Sequence, residues 1–221
     1  MTYRFYEHFD LLHGDADFDS KTGMLDFWKW AFSDLLEDTL KGLYAEWLVG
    51  HLLGLPMKRG DRFHYGNFDL RSSGGLRIEV KSSSYWQSWK LRNPDGSPRS
   101  TDEVDSWRPT DKKRIVFGGL RAKDAVDRTN VTIGYKSDVY VFAFQSETDP
   151  LVWDALDLSQ WEFYFLSRAD LDKVGVKSLS LKRLRSMCSP LTARMLQQVG
   201  RSRLAELELT AVALRDQVGL I

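Results

Sequence analysis

The chain of 221 residues is 43% hydrophobic and carries eight tryptophans, which suits a globular domain with a substantial core and excludes a disordered chain. Its 31 basic residues balance 31 acidic ones, so net charge by itself points to no polyanionic partner. No apolar run reaches the roughly 18 residues a membrane helix needs, the acidic start MTYRFYEHFDLLHGDADFD does not read as a secretory signal, and the single cysteine, Cys188, allows neither an intrachain disulfide nor a cysteine-based zinc site, which implies a reducing, cytoplasmic setting.

Residues 13–23, HGDADFDSKTG, read as a loop; the spacing of Asp15, Asp17 and Asp19 is that of calcium loops, but the glycine and distal glutamate of an EF-hand are missing. Residues 24–54 are predicted to be helical in two segments, with Ser33 placed to cap the second and Glu37 favouring its first turn. Leu36, Leu40, Leu43, Trp47 and His51 recur at helical spacing and define the expected buried stripe, with Glu46 at its edge. Gly54 and Pro56 end the helix. Strands are expected over 63–71 and 76–84, joined by a hairpin turn at Ser72-Ser73-Gly74-Gly75. A long loop spans 92–112, followed by strands at 113–119, at 137–144 (SDVYVFAF, apolar enough to be buried on both faces) and at 161–166 (WEFYFL). The remainder, Ser189 to Val218, is helical. A helix, a group of strands, then strand and helix again predicts a mixed α/β sandwich in a single domain, its core over about residues 33–185 and a helical extension over about 186–221.

The chemistry concentrates between Gly66 and Trp89. In LRIEVKS, Leu76, Ile78 and Val80 alternate with Arg77, Glu79 and Lys81, so a strand presents the apolar set to one face and Glu79 with Lys81 to the other. A tight turn across SSGG brings Asp69 opposite or nearly opposite Glu79, at a Cβ separation of about 5 Å. Two carboxylates that close oppose each other's ionisation, and a divalent cation relieves the conflict. Oxygen ligands select Mg²⁺ or Mn²⁺ over zinc. Lys81 beside such a cation can orient or deprotonate an attacking water, or stabilise charge on a pentacoordinate phosphorus. Glu and Lys alternate on many solvated strands, so the pair alone carries little; the acid across a hairpin and a glutamate on the upstream helix are joint requirements.

Asp69 followed after ten positions by Glu79-Val80-Lys81 resembles the D…ExK core of the PD-(D/E)XK nuclease superfamily. The resemblance implies a restriction-endonuclease-like core, a mixed central sheet flanked by helices, and Mg²⁺-dependent hydrolysis of nucleic-acid phosphodiesters, with DNA the expected substrate and restriction or anti-phage defence the expected setting. It assigns Asp69, Glu79 and the Val80 carbonyl to the metal, Lys81 to the water, Glu46 to the extra acid many members place beside the metals, and Gln87 to the glutamine several subgroups carry on the next helix. The wider stretches SSSYWQSW, SDVYVFAF and LDLSQWEFYFLS are similar to an uncharacterised bacterial group of such proteins, over about residues 41–185. Asp69 follows Phe68 where many members have proline. The alternative reading is a non-catalytic nucleic-acid-binding or assembly module on the same fold.

Other candidates are thinner. His51 reads as a partly buried helix residue, and His64 lies near Asp69 in sequence. Ser82, Ser83 and Ser84 have no histidine at triad spacing and are expected to make local hydrogen bonds. Charge is unevenly spread: the first 38 residues are acid-rich, whereas Lys173 to Arg203 contains no acid. That stretch, with Lys182, Arg183 and Arg185, is the expected nucleic-acid face, and Lys112, Lys113 and Arg114 form a second basic patch. A second copy of the chain or a partner protein is compatible with the sequence.

Overall fold

The computed structural model describes residues 23–57, 68–109, 115–123 and 133–218. Two helices open it, α1 (Met24–Phe32) and α2 (Asp38–Leu53), followed by strands β1 (Leu70–Arg71) and β2 (Arg77–Ser84). Short helices α3 (Ser88–Leu91) and α4 (Thr101–Ser106) precede strands β3 (Val116–Phe117), β4 (Ala122–Lys123), β5 (Ile133–Gly134) and β6 (Val139–Gln145). Strand β7 (Trp161–Ser167), helix α5 (Arg168–Val174), strand β8 (Leu179–Ser180), helices α6 (Leu181–Met187) and α7 (Ala193–Met195), a π-helical turn (Leu196–Gly200) and the long α8 (Arg201–Val218) complete the chain. Among the described residues no helix is long and apolar enough to cross a membrane.

The central sheet has four strands in the order β1-β2-β6-β7. β1 runs antiparallel to β2, β2 parallel to β6, and β6 antiparallel to β7, so the sheet is mixed. Every residue of β6 is buried, as its unbroken apolar run requires of a strand covered on both faces. The alternation of side chains divides the interior into two layers. Ile78, Val80, Val139, Val141, Ala143 and Phe163 point to one side, where Ala45, Leu48, Val49, Leu52 and Leu53 of α2 and Leu196 and Leu204 meet them. Tyr140, Phe142, Phe144, Tyr164 and Leu166 point to the other and pack with Phe117, Leu120, Leu171, Leu179 and Leu184. Helices thus cover both faces of the sheet.

Several sequence expectations are corrected here. Glu37, not Ser33, caps α2, its carboxylate accepting from the Leu40 N–H at 2.9 Å; Ser33 ends α1. The buried stripe of α2 is Lys41, Ala45, Leu48, Val49, Leu52 and Leu53, while Trp47 is 52% exposed and His51 stacks on it from the solvent side. The phase is hard to read because the buried stripe contains a lysine: the Lys41 ammonium bonds Asp38 at 2.9 Å and the buried Ser84 hydroxyl at 3.2 Å. The expected loop over 92–112 holds α4, whose first turn is closed by a capping box between Ser100 and Glu103. The expected strand 113–119 is described as strand only at Val116–Phe117, paired with β8. Residues 63–67, with His64, and the Asp15-to-Asp19 loop lie outside the described residues.

Candidate active site

The hairpin that carries the two carboxylates is built by its turn. Ser72 is buried, and its hydroxyl and carbonyl accept from the N–H groups of Leu76 and Gly75, at 3.1 and 3.0 Å. Gly75 has φ +88°, a left-handed conformation that favours glycine. The turn sets the register Leu70 opposite Ile78, and Asp69 stands just before β1, near enough for its charge to act on Glu79. The Asp69 carboxylate accepts from the Val80 N–H at 2.7 Å, and the Asp69 N–H donates to the Ile78 carbonyl at 3.0 Å. Along β2 the Arg77 carbonyl faces β6, where it accepts from Asp138, so the backbone groups of Val80 face the opposite side, toward Asp69.

Leu76, Ile78 and Val80 are buried, while Arg77, Glu79 and Lys81 are partly exposed, as the strand alternation predicts. The Lys81 ammonium lies 2.6 Å from the Glu79 carboxylate. Burial, then the charge of Asp69, raises the Glu79 carboxyl above the ordinary glutamate range; Lys81 pulls it down, and Glu46 adds the smallest upward push. Glu79 and Lys81 share their sheet face with Tyr140 and Phe142. Sequence reasoning did not select Tyr140, whose buried hydroxyl accepts from the Lys136 and Ser137 N–H groups and is pushed above its ordinary range by burial, with a contribution from Glu79. Nor did it select Gly119, which has φ +66°; a Cβ there would stand 3.7 Å from the Lys81 ammonium. The glycine pair 118–119 at the end of an expected strand was the signal that could have found it.

Glu46 is half-buried on α2 and acts on Glu79 through its charge. Among the described residues no three Asp, Glu, His or Cys side chains stand together closely enough to hold one ion. Gln87 is the N-terminal cap residue of α3, and its amide oxygen accepts from the Trp89 indole N–H. Ser84 is spent on structure: its hydroxyl accepts from Lys41 and donates to the Trp86 carbonyl. The site gathers the carboxylates of Asp69 and Glu79, Lys81 and the backbone of Val80. All its candidate ligand atoms are oxygens, which fits Mg²⁺ or Mn²⁺ bound by two carboxylates with water completing the coordination.

The basic residues separate into two kinds. Arg185, also exposed, donates to both Glu162 oxygens at 2.8 Å and to the Tyr164 hydroxyl at 3.0 Å. Arg203 donates to the Phe165 carbonyl, and Arg201 to the Leu52 carbonyl at 2.8 Å. Lys182 and Arg183 are exposed on α6. Lys112, Lys113 and Arg114 lie outside the described residues. No protein-family model matches the chain, and no curated protein matches it either.

Proposed function

We propose that the chain is a divalent-metal-dependent nuclease of the PD-(D/E)XK, restriction-endonuclease-like type, hydrolysing phosphodiester bonds of nucleic acid, with DNA as the expected substrate and defence against foreign DNA as the expected role. The observation that carries this reading is Asp69 at the entry to the hairpin, its charge acting on Glu79, with Lys81 2.6 Å from Glu79 on the same face of β2. The order helix α2, hairpin β1–β2 and parallel neighbour β6 supports a core of that type.

Asp69, Glu79 and the Val80 carbonyl would hold Mg²⁺ or Mn²⁺. The bound cation would supply Lewis acidity toward the phosphate and the attacking water. The chain's own residues do the rest. Asp69 and Glu79 offer anionic oxygens from opposite strands. Lys81, held beside Glu79, places a positive charge where negative charge develops on the phosphate oxygens, and can take or orient a proton of the water. Glu46 adds negative potential from α2 and strengthens the site's demand for a cation. Lys182 and Arg183 offer a surface for backbone phosphates.

The test is cleavage by the purified chain of single- and double-stranded DNA and RNA with Mg²⁺, Mn²⁺, Ca²⁺ or EDTA, beside Asp69→Asn and Glu79→Gln. Cleavage in Mg²⁺ or Mn²⁺ that both substitutions abolish supports the nuclease. Binding without cleavage in every metal would favour the non-catalytic module.

A further inference from the structure

The C-terminal helix lies outside the region whose sequence resembles the nuclease superfamily, yet it touches both elements that carry the candidate site's acids. At its start, Arg201 donates to the Leu52 and His51 carbonyls, which end α2, the helix of Glu46. Seven residues on, about 10 Å along a helix, the Glu208 carboxylate accepts from the Gly74 N–H at 2.7 Å, in the turn between Asp69 and Glu79. Leu204 is buried between these contacts, and Leu207 and Ala211 pack against the same core. Arg201, Leu204, Glu208 and Ala211 follow helical spacing, so one face of α8 makes these contacts with α2, the core and the hairpin turn.

The two glycines of the turn therefore serve different purposes. Gly75 supplies a left-handed backbone. Gly74 supplies room: a Cβ there would lie 2.7 Å from the Glu208 carboxyl carbon, closer than packed atoms approach. The contact matters because, among the described residues, β1 pairs with β2 through only Leu70–Ile78 and Arg71–Arg77. So short a ladder fixes its own register weakly, and Asp69 stands just beyond its end.

We infer that Glu208 is a positioning residue: by holding the Gly74 amide it fixes the hairpin, and so keeps Asp69 against Glu79 in a geometry that can take a divalent cation. The inference rests on the proposed metal site. Its test uses the full chain and Mn²⁺, with affinity read by the paramagnetic resonance of free ion and hairpin order read by hydrogen exchange of the amides from Asp69 to Gly75 in metal-free protein. Glu208→Ala should weaken Mn²⁺ binding about three- to tenfold, the worth of one hydrogen bond, and speed exchange in the hairpin. Glu208→Gln, which keeps an acceptor oxygen, should restore both readings to within about twofold. Asp69→Ala should abolish Mn²⁺ binding. Unchanged hairpin exchange in Glu208→Ala overturns the positioning role whatever the metal does. Unchanged Mn²⁺ affinity in Asp69→Ala overturns the metal site on which it rests.

Discussion

The Lys81 ammonium and the Glu79 carboxylate stand 2.6 Å apart on one face of β2, with side chains 26% and 16% exposed. A lysine so held is positioned before substrate arrives, and it competes with any cation for the same carboxylate. Replacing it with methionine keeps the apolar stem and removes the charge. Lys81→Met should lower single-turnover cleavage by about 10²- to 10³-fold, the usual loss when one transition-state charge donor is removed. Its Mn²⁺ affinity should equal or exceed that of the wild type. Wild-type cleavage by this variant would remove Lys81 from the mechanism.

The raised Glu79 carboxyl predicts a pH dependence with a definite sign. A cation binds the carboxylate, so protons compete with it, and a pKa above the ordinary glutamate range moves the acid limb of metal binding upward. Burial and the charge of Asp69 are the two largest causes, in that order. Asp69→Asn removes the second and leaves the first. A carbon-13 titration of the Glu79 carboxyl in metal-free protein should therefore show its pKa fall in Asp69→Asn. A pKa that does not move would mean that the two carboxylates do not sense each other.

Asp138 at the start of β6 ties the parallel strands together, accepting from the Arg77 N–H at 2.8 Å and from its guanidinium at 3.2 and 3.3 Å. Burial works against its ionisation, but the Arg77 side chain and backbone prevail, and the carboxyl is held below the ordinary aspartate range. A depressed folded-state pKa contributes stability above the unfolded-state value, and that stability is lost as pH falls through the folded-state value. Both side chains are about one-third exposed, so solvent screening reduces the contribution to about 1 kcal/mol. Asp138→Asn should lose that amount in urea unfolding at neutral pH, and its deficit should vanish in acid below the folded-state pKa. A deficit independent of pH would assign the loss to packing.

The features that were legible in sequence are those set by short-range periodicity. Leu76, Ile78 and Val80 alternate with charged neighbours, so the burial pattern of β2 could be read directly, and the glycines of the turn marked the hairpin that pairs Leu70 with Ile78. The phase of α2 was not legible, because Trp47 is apolar on its outer face while Lys41 is buried on its inner one. Lys41 is tolerated there by partners on α2 itself and on β2, and the β2 partner, Ser84, is distant in sequence. The same limit applies to Arg185, whose partners Glu162 and Tyr164 lie on β7, and to Glu208, whose contact with Gly74 joins the two ends of the fold. Local pattern reveals which face a residue takes; it does not reveal a distant partner.

That distinction divides the basic C-terminal stretch experimentally. Lys182 and Arg183 are exposed on α6, and no ion pair to either is found among the described residues. Arg185, on the same helix, is committed to Glu162 and to the hydroxyl of the buried Tyr164, whose ionisation is suppressed first by burial and next by the Glu162 contact. Truncating Arg185 removes its donation to both groups and leaves Glu162 with the Tyr164 hydroxyl as donor. Arg185→Ala should therefore destabilise the fold by about 1–2 kcal/mol, within the range for hydrogen bonds to charged groups after discounting for partial exposure. Lys182→Ala with Arg183→Ala should change stability by less than about 0.5 kcal/mol per site. Nucleic-acid binding should respond in the opposite order. Removing a cation that neutralises a phosphate makes the slope of log K against log salt shallower by up to roughly one unit. The Lys182/Arg183 double variant should therefore bind all sequences more weakly, by about the same factor, and show the shallower slope. Arg185→Ala should keep the wild-type slope at temperatures where it is folded. The measurements are urea unfolding and a salt titration of binding in Ca²⁺, to limit turnover. An unchanged slope in the double variant would show that α6 presents an ordinary solvated face and that backbone phosphates are met elsewhere on the chain.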